Sequence, residues 1–586
     1  MPENNVTKKV AKQSFLQGAL ILTLSMAIVK AIGALFKIPL ANIISENGMG
    51  YFGTAYNLYA VLYSLATAGF PVAIARLIAE SHTLEQYNQM RQIKRVSLPI
   101  FLVTGTIGTL LMILGAGPYT KYVQNSGSYL SIICLAPSIF FCCLGSIYKG
   151  YFEGVSNMTP TAVCEVIEAL SKFIFGLSGA LLVVKVFSNE YNNYGTFMGS
   201  AVTANEATLK TYQIAAAAAI LGVTLGSMFS WIYGMIYYHI KGTGITEEMY
   251  ENSPKAESGK VVAKRLIKIA VPIAIGSLVS SFAGLVDASF LQRRLASVVE
   301  NHTSYILNLY QGSIPTENLN DISTIPNFLY GCYNNGLTIY MLVSTITSAF
   351  GISALPVLAS SWARGDKEDI KKNIETIMRM TSLVAIPCGL GITFLAKPIA
   401  YLLYGSTGAA DIVGRCLIIL GIGSIFSGLS TPLSSMLQAV DRADAPVKLV
   451  AVGLVIKIAV NYILCGIAQI NVQGAGLGSL VCYLFLTVAE IVVLKKVTHV
   501  EMSLKQTFLR PFISAFIACG IAALVNLGLT SVGISARIAC CIAIVAAIIV
   551  YVPAVIILKA IPKNDMLMMP KGEKIVNILE KHGWIR

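Results

Sequence analysis

Charge is scarce in this sequence. Only 12% of its 586 residues are Asp, Glu, Lys or Arg, against 55% hydrophobic. The mean hydropathy is +0.69, far outside the balance of a water-soluble domain. No GxxxxGK[ST] loop occurs, which argues against a nucleotide-driven pump built from this chain alone. There is no HExxH, no GxSxG elbow with plausible partners and no aspartate-rich metal motif, so hydrolase chemistry has few residues to stand on. Histidine is rare: His82, His239, His302, His499 and His582 fall near expected helix ends or loops, where a solvated ring is the ordinary role. The twelve cysteines form no CxxC set with a histidine partner and lie mostly in expected helices, as buried small hydrophobes. No enzyme activity, metal or cofactor is expected. Alternating ten-residue strands are also missing, which excludes a membrane barrel.

What the chain does have is a series of long apolar runs. A spanning helix needs about 20 mostly apolar residues, and the runs predict an all-α polytopic membrane protein with about fourteen spans. They begin at 13–44 and 51–80, pass through 263–290, and end at 508–530 and 535–560. Lys8, Lys9 and Lys12 precede the first run, which contains Lys30 and Lys37 and has no convincing cleavage site, so a retained first helix is expected. The net charge of +14 is a topology signal. Arg91, Lys94 and Arg95, the stretch from Lys241 to Lys268, Arg364 to Arg379, and Lys495, Lys496 and Lys505 fall on one side. That bias predicts a bacterial plasma-membrane protein with both termini cytoplasmic, with some attraction to anionic lipid and no nucleic-acid partner.

The stretch from Tyr148 to Gly176 organises the rest. Glu165, Glu168 and Lys172 sit at i, i+3 and i+7 and share one helix face. A similar pattern returns about 285 residues later, placing Phe152 over Leu437, Val155 over Val440, Lys172 over Lys457, Pro71 over Pro356 and Lys94 over Arg379. A constant register over separate helices predicts a duplicated six-helix unit. The expected plan is an N-terminal lobe 1–240, a cytoplasmic connector 241–262, a C-terminal lobe 263–500, a helix pair 501–560 and a cytoplasmic amphipathic tail 561–586. Polar extracytoplasmic inserts are expected at 188–211 and 291–327.

Charges inside apolar helices are the candidate functional residues, because an ammonium at depth costs roughly 2.5–3.5 kcal/mol on insertion scales. Lys30 is deep and is expected to face a cavity; Lys37 either shares that role or snorkels to the interface. Arg76 is either a headgroup anchor or a rim contact for substrate. Asp287 either pairs with Arg293 or Arg294, binds a coupling cation or proton, or pairs with a lysine such as Lys457, which shares a face with Asn461. Glu168 and Lys172, at i, i+4, are expected largely to neutralise each other.

Gly150-Tyr-Phe-Glu-Gly-Val-Ser-Asn-Met-Thr-Pro-Thr-Ala162, followed by Glu165-Val-Ile-Glu168, resembles the signature of the polysaccharide and lipid II flippases. These are the stage V sporulation protein B group and the MviN type, within the multidrug/oligosaccharidyl-lipid/polysaccharide exporter superfamily. Gly69-Phe-Pro-Val-Ala-Ile-Ala-Arg76 is similar to the end of that family's second helix. The resemblance implies two six-helix lobes around a cationic cavity, with the last two helices forming a groove for a polyprenyl tail. It also implies that Lys30 and Lys37 meet a substrate diphosphate, with lysine where arginine is common. Asp287 stands for the acid of helix seven, and Lys457 for an acidic ion ligand of some members, which argues against sodium coupling. The implied partners are a lipid-linked saccharide, membrane lipids and cell-wall synthesis enzymes, with the chain acting as a monomer. The competing readings are a drug/cation antiporter of the same superfamily and a membrane glycosyltransferase using the same lipid carriers.

Overall fold

The computed structural model describes residues 15–67, 69–241, 245–405 and 408–562. The N-terminal lysines and the whole amphipathic stretch expected at the C-terminus lie outside the described residues. The chain is a succession of helices: α1 (Phe15–Thr67), α2 (Phe70–Thr83), α3 (Tyr87–Tyr122), α4 (Tyr129–Gly154), α5 (Thr159–Tyr194) and α6 (Ala204–Lys241). A short α7 (Glu247–Glu251) leads into α8 (Gly259–Val286), a π turn at Asp287–Leu291, and the small helices α9 (Gln292–Asn301), α10 (Thr303–Leu309) and α11 (Thr316–Asn320). Then come α12 (Ile325–Arg364), α13 (Lys367–Phe394), α14 (Ala396–Tyr404), α15 (Gly408–Ala439), α16 (Asp444–Leu464), α17 (Gln473–Thr498), α18 (Arg510–Ser531) and α19 (Ala536–Ile557).

Among the described residues, twelve helical stretches are long and apolar enough to cross a membrane. The difference from fourteen has two sources. The expected spans 13–44 and 51–80 fall in one 60-residue stretch, Leu24–Thr83. The expected span 263–290 corresponds to α8, which is not among the twelve.

The first of these stretches is not straight. Ser45 takes φ 59° and ψ 177°, which breaks α1 in two. A broken helix leaves main-chain groups without intrahelical partners, and buried carboxamides take them up. Asn327 Nδ2 donates to the Asn47 carbonyl at 2.9 Å, and the Asn47 and Asn318 side chains exchange hydrogen bonds at 2.8 and 3.0 Å. Asn125 Nδ2 donates to Gln292 Oε1 and Asn327 Oδ1, each at 2.8 Å.

The insert expected at 188–211 is mostly helix. α5 runs on to Tyr194, where Gly195 at φ 64° ends it, and a two-residue hairpin, β1 (Thr196–Phe197) with β2 (Ser200–Ala201), leads into α6. The insert expected at 291–327 holds α9 to α11.

Contacts divide the chain into two compact units, Met1–Ala296 with Thr316–Gly331, and Ser297–Pro315 with Cys332–Arg586. Residues 241–262 and α8 therefore lie in the first unit. Small residues let its helices approach closely. A Cβ on Gly222 of α6 would collide with the backbone of Gly176 on α5, and one on Gly69 would collide with the Ala270 carbonyl of α8. Ala215, Ala216 and Ala219 are fully buried in α6. Arg265 of α8 ties these pieces together, donating to Glu80 of α2 at 2.9 and 3.1 Å and to Glu257 at 3.2 Å. In the second unit, α18 and α19 pack on each other, and Tyr551 Oη donates to the Leu383 carbonyl of α13 at 2.8 Å.

Candidate functional site

The charged side chains of the first unit converge on a cavity of about 340 Å³ between α1, α4 and α5. Lys30, Lys149, Glu165, Glu168 and Lys172 line it, with the rings of Phe36, Tyr56 and Tyr63 as walls. The helical spacing explains the convergence, since Glu165, Glu168 and Lys172 lie on one face of α5. α1 lays Lys30 and Phe36 on one side of the cavity, and its segment beyond Ser45 brings Tyr56 and Tyr63. An adjoining chamber of about 280 Å³ shares Tyr63, Lys149, Glu165 and Glu168 and adds Glu153, Ser227 and Ser230.

The pairing inside the cavity differs from the local expectation. Glu168 is in ion-pair range of Lys149 of α4, Nζ to Oε2 at 3.9 Å, and not of Lys172 one turn along its own helix. Lys172 instead places its ammonium 5.0 Å from the centre of the Phe36 ring and 5.1 Å from that of Tyr56. Tertiary contact across α4 and α5 wins over the i, i+4 pair because such a helix pair contributes only about 0.2–0.5 kcal/mol. Ser25 Oγ reaches Glu165 Oε2 at 3.5 Å, the outer limit of a hydrogen bond. The cavity is therefore mixed in sign, three lysines against two glutamates, rather than purely cationic.

Lys149 is the residue that sequence reasoning missed. The fourth expected span stops at 149, which makes Lys149 a boundary residue; α4 continues to Gly154 and carries it inside. Its place in the quoted Tyr148–Gly176 stretch was the available signal.

Four other candidates lie elsewhere. Lys37 is half-buried on α1 and is not among the lining side chains, although it is near enough to Lys172 for their charges to repel. Arg76 is exposed and borders a separate groove of about 450 Å³ with Glu80, Arg265 and Lys268. Asp287 is buried in the π turn after α8, a rare local form that often marks functional positions. Lys457 and Asn461 are buried on α16 in the second unit, where a Cβ on Gly478 of α17 would strike the Asn461 carboxamide. Glu490, fully buried on α17, was also not singled out; it accepts hydrogen bonds from Ser430 and Ser434 of α15 at 2.7 and 2.5 Å.

Residues 15–362 match the family model described as polysaccharide biosynthesis protein. The chain belongs to that family. A second model, for the lipid II flippase MurJ, matches residues 326–561. Two relatives from Bacillus subtilis (strain 168) are similar along most of their length. The lipid II flippase MurJ is 23% identical over 474 residues, covering 78% of each chain. Stage V sporulation protein B is 22% identical over 569 residues, covering 96% of this chain and 98% of the relative. Among solved structures, a lipid II flippase MurJ in an inward closed conformation superposes with a TM-score of 0.61 at 13% identity, over 91% of this chain and 98% of that one. An inward-facing multidrug transporter of the MATE family, within the MOP superfamily, gives 0.57 at 13% identity over 86% and 98%. At such identity the structural likeness is one of fold. The protein is thus a multi-span, membrane-embedded member of a flippase family.

Proposed function

We propose that this chain moves a polyprenyl-diphosphate-linked cell-wall precursor, lipid II or a related lipid-linked oligosaccharide, across the bacterial plasma membrane by alternating access. One observation carries the reading. Three lysines from three different helices, Lys30 of α1, Lys149 of α4 and Lys172 of α5, open onto one cavity inside an otherwise apolar bundle. Cations held at such depth call for an anion, and a diphosphate with a large polar head is an anion that hydrocarbon cannot carry unaided. The names of the relatives fit that cargo. Lobe rocking would expose the cavity to one side and then the other, so the bilayer never solvates the head. Asp287, Lys457 and Asn461 are assigned to coupling, and Lys37 and Arg76 to supporting contacts along the substrate's route.

Lys30→Glu tests the reading. In a strain depleted of its own flippase, the variant should fail to support growth while reaching the membrane at wild-type level. Normal growth would remove Lys30 from the substrate site. The glutamates of the adjoining chamber, Glu153, Glu165 and Glu168, favour a second reading, a drug/cation antiporter of the same superfamily. Mass spectrometry of copurifying lipids separates the two, because only the flippase should retain a lipid-linked saccharide.

A further inference from the structure

A second assembly of cations lies at the start of α3 and shares no lining residue with the cavity above. Arg91 and Arg95 sit at i, i+4 on one face of the helix, just before its apolar run from Val96 onward. A segment of the 241–262 connector is stitched beside them. Asn88 Nδ2 donates to the carbonyls of Tyr250 at 2.9 Å and Ser253 at 3.1 Å. Gln89 Nε2 donates to Glu257 Oε2 at 2.9 Å, and the Glu257 main-chain N–H donates back to Gln89 Oε1 at 2.8 Å. These bonds hold Lys255 on the same groove as the two arginines. The groove is about 340 Å³, lined by Asn88, Arg91, Gln92, Arg95, Lys255 and Ala256. The Tyr250 ring backs Arg91, with the guanidinium 5.5 Å from its centre.

Three cations and no carboxylate line this groove. The acid that follows in the chain, Glu257, is engaged by Gln89 and by Arg265 at 3.2 Å. Like charges gathered without an acid favour an anion, and the planar guanidinium fork suits phosphate, with lysine adding a point charge. Depth identifies the presentation. α3 has 36 residues, about 54 Å at roughly 1.5 Å per residue, against a hydrocarbon core of about 30 Å. Its first turns therefore stand at headgroup level.

We propose that Arg91, Arg95 and Lys255 form a phosphate-binding groove that holds the headgroup of an anionic phospholipid. The connector segment is then fixed at the membrane surface by lipid as well as by its own hydrogen bonds. The site is independent of the flippase reading and survives if that reading fails.

The test uses the full chain in nanodiscs of phosphatidylglycerol or of phosphatidylcholine, with native mass spectrometry of retained lipid. The wild type should keep phosphatidylglycerol in preference to phosphatidylcholine. The double variant Arg91→Gln/Lys255→Gln should keep roughly ten-fold less, the loss of one charged hydrogen bond. Arg91→Lys should retain most of the binding, and the distant Lys448→Gln should behave as wild type. Thermal protection by inorganic phosphate forms the second arm. Protection of the wild type but not of the double variant, without a lipid adduct, would assign the groove to free phosphate rather than to a headgroup. Because the substituted side chains are exposed, unchanged elution and lipid-free unfolding temperature show that the double variant is folded. If lipid retention and phosphate protection are the same in the folded double variant as in the wild type, the proposal is wrong.

Discussion

Lys149 and Glu168 join α4 to α5 across the cavity, and Lys172 lies among rings instead of against an acid. The two arrangements lead to different expectations. The Lys149–Glu168 side chains are 20% and 32% exposed and 3.9 Å apart, so their coupling is expected at about 1 kcal/mol, well below that of a tight buried pair. A double-mutant cycle with Lys149→Met and Glu168→Gln, read by thermal unfolding in detergent, measures it; additive effects would dissolve the pair. Lys172 keeps a charge in a mostly apolar site and gains only about 0.5–2 kcal/mol from ring contacts. Lys172→Gln is therefore expected to leave the unfolding temperature unchanged or raised while transport falls about ten-fold or more, the equivalent of one charged contact of 1.5–3 kcal/mol. A variant that unfolds earlier and still transports would show that Lys172 is structural.

The helices are packed through a few contacts that tolerate no side chain. Gly222 and Gly176 bring α6 against α5, behind the face that carries the cavity charges, so overpacking there should disturb both stability and the site. Gly222→Leu is expected to cost about 1–3 kcal/mol, seen as a lower unfolding temperature. Gly520, where an added Cβ meets nothing within 4 Å, is the control; Gly520→Ala should be neutral or stabilise by about 0.5–1 kcal/mol, since glycine weakens a helix interior. Equal effects at the two positions would refute the close approach. The break in α1 at Ser45 is a second example of an element shaped by its surroundings. The serine codes for no break by itself, and the amides that receive the freed backbone groups come from residues 125, 318 and 327.

The two units carry unlike charge. The first holds the mixed lysine and glutamate cavity, and the second holds the buried Lys457 on α16 and the buried Glu490 on α17. An ammonium fixed on α16 supplies locally what a bound cation would supply, so transport is expected not to depend on sodium. Proteoliposomes compared in sodium and in potassium at one membrane potential measure this. A strong sodium requirement would overturn the role given to Lys457.

Composition and periodicity by themselves determined the class, a polytopic helical membrane protein, because desolvating the main chain in lipid leaves an apolar run little choice but a helix. They also marked Lys30, Glu165, Glu168 and Lys172, since charge inside an apolar run is costly enough to stand out. Tertiary structure decided the rest. Whether Glu168 pairs along its helix or across to Lys149 depends on how far α4 extends, and ±2–4 residues at a helix end is the uncertainty of any sequence reading. That Arg76 lies on a different groove from Lys30, and that Lys255 stands beside Arg91, follow from contacts between segments far apart in the chain. No local pattern encodes them, because long-range packing and hydrogen bonds set where each face points.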